Sequence, residues 1–137
     1  MSKTVFSKII DGEIPAHIIW QDDDACAFLD TTPIAPGHTL LVPVKPAPYL
    51  FELEDQMYAS LWKRAQWLAK HIRIVMNCQR VGVMVEGFSV PHVHIHLIPI
   101  NNGSDLNPDL AKPCDLEELV LHHQRLVTQI ASSGTCL

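Results

Sequence analysis

The chain has 137 residues, 47% of them hydrophobic, which excludes disorder and suits one domain (1–137) that buries a core without disulfides or a structural metal. A barrel of eight βα units needs roughly 200 residues or more, too many for this chain. Ten Lys and Arg against fifteen Asp and Glu give a net charge of −5, so the surface repels phosphodiester backbones and no nucleic-acid partner is expected.

Residues 4–10 suit a short helix whose apolar face is Val5, Phe6, Ile9 and Ile10. His17 to Gln21 and Cys26 to Leu29 read as two strands of a hairpin, joined by Asp22, Asp23 and Asp24 as a solvated turn. A Pro-punctuated loop from Thr31 to Gly37 leads into a strand from His38 to Val42. Pro43, Pro46 and Pro48 are then expected to block further pairing. Residues 52–79 carry the clearest helical period, with Leu53, Met57, Leu61, Ala65, Leu68, Ile72 and Met76 at steps of three or four. At 1.5 Å per residue such a helix is on the order of 40 Å long. Tyr58, Trp62 and Trp67 lie off that stripe, and for the two tryptophans packing is the simpler reading, an interface the other. Large aromatics on a second face are costly in water and enriched at interfaces, which predicts a homodimer.

Val81 to Glu86 and His92 to Ile98 read as two further strands around Gly87. A loop covers 101–113, and a last helix starts at Asp115. Glu118 stands where a capping box needs it, and Leu116, Leu119, Val120, Val127 and Ile130 form the apolar side. Strands, one long crossover helix, two more strands and a helix give an α+β fold with an antiparallel sheet of about five strands. The four cysteines have no close C-x-x-C spacing and read as reduced thiols. The start, MSKTVFSKIIDGE, has no apolar stretch of signal-peptide length, and no apolar run approaches a membrane span. A soluble cytoplasmic protein with no membrane partner is expected.

The informative segment runs from Pro91 to Pro99, PHVHIHLIP. Side chains alternate across a strand, so His92, His94 and His96 share one face while Val93, Ile95 and Leu97 share the other. Adjacent imidazoles in such a row stand roughly 6.5–7 Å apart at Cα. Three chemistries fit a strict triplet. It is a satisfied polar face, or a metal site completed by His38 or Asp30, or a nucleophile and acid/base set working at phosphorus. In the third case a neutral imidazole attacks an electrophile, and backbone N–H groups near Gly87 and Ser89 with the Ser89 hydroxyl hold anionic oxygens. There is no Gly-x-x-x-x-Gly-Lys phosphate loop.

His92 to Ile98, following Gly87-Phe88-Ser89-Val90-Pro91, closely resembles the active-site signature of the histidine triad (HIT) family. FSKIIDGEIP (6–15), AFLD (27–30) and PIAPGHTLLVP (33–43) resemble that family's N-terminal half, in its order. The resemblance implies a HIT-like α+β domain with one long and one C-terminal helix that pairs as a homodimer. It also implies transfer or hydrolysis of nucleotidyl groups through a nucleotidyl-histidine intermediate. By position, His94 is then the nucleophile at the α-phosphorus, and His96 contacts the phosphate and assists the leaving group. His92, backed by His38, holds the network, and Ser89 and Gly87 contact the phosphate or leaving group. Asp30 binds the ribose hydroxyls, while Val5, Phe6, Ile9, Phe28 and Leu29 wall a purine base. No cofactor and no metal is implied. Phe88 replaces the family's usual Gln, and Thr4 and Ser7 occupy positions where zinc-binding members carry a Cys pair.

Overall fold

The computed structural model describes residues 3–134. Its elements run α1 (Val5–Ile10), β1 (Ile18–Gln21), β2 (Ala25–Leu29), β3 (Thr39–Pro43), α2 (Asp55–Met76), β4 (Arg80–Met84), β5 (Ile95–Ile100) and α3 (Leu116–Ser132), with single 3₁₀ turns at 50–52, 103–105 and 108–110. The strands form one antiparallel sheet in the order β1-β2-β3-β5-β4. The α+β expectation and the five-stranded sheet are met. Several elements are shorter than the sequence suggests, though β2 gains Ala25 and β3 is shifted by one residue to Thr39–Pro43. The long helix ends at Met76 because Asn77 adopts a left-handed φ of 52°, a conformation Asn tolerates at a helix C-terminus. Its 22 residues span about 33 Å.

Both faces of the sheet are buried at β2 and β3, and alternation sorts the side chains between two cores. Ala25, Ala27 and Leu29 of β2, Leu41 of β3 and Ile95 and Leu97 of β5 join Leu61, Ala65, Leu68 and Ile72 of α2 and Leu119 and Leu126 of α3. On the other face Cys26, Phe28, Leu40 and Val42 pack under Phe6 and Ile9 of α1. Thr4 starts α1: its hydroxyl accepts the Ser7 N–H at 3.1 Å, as a helix N-cap does.

Four local expectations change. Pro43 is the last residue of β3 and sits opposite Ala25 in the ladder, where its missing N–H costs nothing at the strand end. The acidic turn is not merely solvated: the Arg64 guanidinium of α2 bonds Asp22 at 2.7 and 3.1 Å and Asp24 at 3.3 Å. Asp115 makes no side-chain cap, so the capping box of the last helix is not formed. On α3 the buried residues are Leu119 and Leu126, while Leu116, Val120 and Val127 are exposed. Tyr58, Trp62 and Trp67 pack partly buried against the main core, with Trp67 edge-on to Trp20 at 5.4 Å. Among the described residues Cys26, Cys78 and Cys114 are free thiols, and Cys136 lies outside them. No helix of the described residues is long and apolar enough to cross a membrane.

Candidate active site

His92, His94 and His96 lie on the α1 side of the sheet because Val93, Ile95 and Leu97 take the alternate positions into the main core. Of the three, only His96 belongs to β5; the ladder starts at Ile95 rather than at His92. Before it the chain bonds elsewhere, with the His92 N–H on the Val90 carbonyl and the Val93 N–H on the Ala47 carbonyl. The alternation persists through this approach. Phe6 of α1 closes over the row, its ring 4.9 Å from that of His94 and 5.7 Å from those of His92 and Phe28.

Hydrogen-bond partners assign the tautomer of each imidazole. His92 Nε2 lies 2.7 Å from the Pro43 carbonyl, which can only accept, so Nε2–H donates. Neutral His92 then accepts at Nδ1 from the Thr4 hydroxyl, at 2.7 Å. His94 Nδ1–H donates to the backbone carbonyl of His92 at 2.7 Å, which leaves the lone pair of His94 on Nε2. His38 Nδ1 accepts the Ile34 N–H at 3.0 Å, so His38 Nε2–H donates to His96 Nδ1 at 2.9 Å and the proton of neutral His96 resides on Nε2. Among the described residues the Nε2 atoms of His94 and His96 have no hydrogen-bond partner. Neither is sealed from solvent, since Trp62 Nε1 is the one buried unpartnered side-chain polar atom among the described residues. A lone pair and an N–H are thus presented side by side, on rings 5.1 Å apart.

Burial keeps His38, His92 and His96 neutral. It pushes His38 down to about 3 with help from His96, and His96 down to about 4 with help from His94 while Glu86 opposes. His92 is lowered by burial too, against the pull of the Pro43 carbonyl. Asp30 is raised by burial; its Oδ1 accepts the Thr32 N–H at 2.8 Å and its Oδ2 lies 3.7 Å from His38 Nε2. Donor atoms of Asp30, His38 and His96 lie within 4.8 Å of one another, which invites a cation. The tautomers argue against one: His38 Nε2 carries a proton, and the lone pair of His96 Nδ1 is already occupied by it.

Phe6, Ile9 and Phe28 come together on the histidine side, and Val5 stands at its rim, 41% exposed. Leu29 does not join them. Adjacent residues of a strand point to opposite faces, so Leu29 lies in the main core and cannot wall a base beside Phe28. Gly87 has a φ of +79° and passes the Pro48 carbonyl. Ser89 is exposed, and its hydroxyl donates to Glu86 Oε1 at 3.2 Å. Sequence reasoning missed Glu86 and the contact of Thr4 with His92. Thr4 is legible as an N-cap preceding an apolar helical run, but its bond spans 88 positions that no local pattern connects.

The profile of the HIT domain matches residues 11–103. The chain belongs to the HIT family. It is 35% identical over 119 residues to the purine nucleoside phosphoramidase of Escherichia coli K12, covering 80% of this chain and 94% of that one. It is 34% identical over 126 residues to an uncharacterised HIT-like protein of Methanocaldococcus jannaschii, covering 85% and 95%. Among solved structures, a HIT-like protein of Bartonella henselae superposes with a TM-score of 0.80 at 29% identity, covering 93% of this chain and 96% of that one. A histidine triad nucleotide-binding protein of Sulfolobus tokodaii gives 0.81 at 25%, with 93% and 91% covered. This HIT protein has the full histidine row in place.

Proposed function

We propose that this HIT protein is a nucleotidyl hydrolase or transferase. It attacks the α-phosphorus of a purine nucleoside phosphate derivative: a phosphoramidate, an acyl-adenylate or a dinucleoside polyphosphate. The observation that carries the reading is the His94 Nδ1–H bond to the His92 carbonyl, which orients the ring and leaves Nε2 a free, solvent-facing nucleophile. In the first step the bond from Nε2 to phosphorus forms and the bond to the leaving group breaks, the leaving atom taking a proton from solvent. Water then attacks phosphorus, the bond to Nε2 breaks, and the nucleoside monophosphate departs as a proton returns to solvent. His96 Nε2–H donates a hydrogen bond to a phosphate oxygen as charge develops there. Neutral His96 gives up no proton in this step, because its conjugate base would be an imidazolate. The name of the Escherichia coli relative supports the nucleotide class. Phe6, Ile9 and Phe28 hold the base, with Val5 at the rim, and Asp30 accepts ribose hydroxyls through Oδ2.

His94→Ala is expected to abolish turnover of adenosine phosphoramidate and diadenosine polyphosphates while nucleotide binding survives. Turnover in that variant equal to wild type would overturn the reading. The same proposal makes the enzyme a cytoplasmic homodimer. Free thiols at Cys26, Cys78 and Cys114 support a reducing compartment. The edge position of β4, with Val83 exposed on it, supports pairing across a two-fold axis. Sedimentation at micromolar protein should give twice the 15.3 kDa chain mass, and a single species at that mass would refute the dimer.

A further inference from the structure

Residues 112–114 lie between the 108–110 turn and α3, beyond the 11–103 stretch matched to the HIT domain. They run along the loop that leads from Asp30 to His38. Cys114 N–H donates to the Thr31 carbonyl at 3.1 Å, and Lys112 N–H to the Pro33 carbonyl at 3.3 Å. Each of those carbonyls shares a rigid peptide plane with an N–H that grips a side chain of the site. In the Thr31–Thr32 plane, the Thr32 N–H donates to Asp30 Oδ1 at 2.8 Å. In the Pro33–Ile34 plane, the Ile34 N–H donates to His38 Nδ1 at 3.0 Å. Each outer bond therefore sets the tilt of its plane, and a carbonyl that accepts strengthens the N–H at the other end as a donor. The backbone of Asp30 is fixed independently, since its N–H bonds the His38 carbonyl at 2.9 Å, so only the carboxylate needs a guide. Thr31 and Thr32 are exposed, and water competes for both ends of their plane. Burial pushes Asp30 up and the Thr32 N–H pulls it back, which favours the anionic acceptor.

We propose that the backbone N–H of Cys114 is a positioning group for ribose recognition. By bonding the Thr31 carbonyl it fixes the Thr31–Thr32 plane, and that plane aims the Asp30 carboxylate at the 2′- and 3′-hydroxyls. It rests on the reading above that Asp30 accepts those hydroxyls, and it names the residue that decides how strongly ribose is told from a sugar lacking them. The Cys114 side chain takes no part, because its Sγ is turned to Glu118 Oε2 at 3.8 Å. Lys112 acts on the other plane, which grips His38 and not Asp30, so it supplies a control on the same strap.

AMP and 2′,3′-dideoxy-AMP, titrated calorimetrically into the full chain, differ only in the two hydroxyls. A hydrogen bond to a carboxylate contributes about tenfold or more to a binding constant, so the wild type should bind AMP at least about tenfold more tightly. Cys114→Pro deletes the N–H and should bring the ratio within about threefold by weakening AMP alone, with the Kd of the dideoxy nucleotide unchanged. Cys114→Ala, which keeps the N–H, and Lys112→Pro, which cuts the other plane, should both keep the wild-type ratio. An unchanged ratio in Cys114→Pro, an equal loss for both nucleotides, or the same fall in Lys112→Pro overturns the positioning role while nucleotidyl transfer stands. Equal affinities in the wild type overturn it together with the Asp30 contact, and binding of neither nucleotide overturns the nucleotide reading as well. A measurement on the unaltered chain needs no folded variant. Linkage is reciprocal, so saturating AMP should slow amide exchange at Cys114 several-fold more than saturating dideoxy nucleotide does. Equal exchange under the two overturns the inference.

Discussion

Acidification should destabilise the fold through the His38–His96 relay before it touches most carboxylates. Both imidazoles resist protonation in the folded protein, at about 3 and about 4, whereas in the unfolded chain they titrate near 6.5. The unfolded chain therefore binds more protons than the native one below that pH, so stability is full above about 6.5 and is lost as pH falls towards 4. Each pH unit in that window is worth about 1.4 kcal/mol per excluded proton, so lowering pH from 6.5 to 5 removes about 2 kcal/mol for each ring and about 4 kcal/mol for the two. Asp30, raised by burial, works with the opposite sign and only nearer the carboxylate range. Urea unfolding followed by the fluorescence of Trp20, Trp62 and Trp67 at one protein concentration reads the change. In His38→Asn one titrating ring is gone, and the loss between pH 7 and 5 should shrink by about 2 kcal/mol, the share of that ring, while His92 and His96 keep theirs. Equal losses in the variant and the wild type would refute the idea that burial holds these two rings neutral.

Thr4→Val removes both the α1 cap and the donor to His92, and should cost about 2 kcal/mol, read as a lower urea midpoint with unchanged slope; Thr4→Ser should restore it. A loss below about 0.5 kcal/mol would show that the hydroxyl bridges nothing of consequence. Gly37 sits at a φ of +88°, and a Cβ there would meet Met76 Cγ at 2.6 Å. Gly37→Ala should therefore cost more than about 1 kcal/mol by thermal unfolding and lower kcat, because the next residue is His38. A variant as stable and active as the wild type would contradict the fit.

The histidine row was legible because a period of two survives in the sequence when one set is imidazole and the other aliphatic. The same rule failed at Leu29 for a physical reason. All five residues of β2 are buried, so its sequence is apolar throughout and carries no sign of which face each side chain takes. The aromatics of α2 were open to a packing and an interface reading: the helix meets both the sheet and α3, which widens its buried surface beyond one stripe and packs Trp62 and Trp67 against the core. Leu126 was missed for the same reason on the other partner. The tautomers were beyond reach of any local pattern, since those of His92 rest on Pro43 and Thr4, 49 and 88 positions away. Glu86 emerges only when the 86–89 loop folds its carboxylate onto Ser89.

The central claim is that the lone pair of His94 Nε2 forms a covalent bond to phosphorus. Intact-mass and peptide mass spectrometry of the protein, mixed with an adenosine phosphoramidate and quenched without acid, tests it most directly. The expected result is one adenylyl group added, mapped to His94 and absent in His94→Ala. Steady turnover with no adduct at any quench time, retained in His94→Ala, would contradict it.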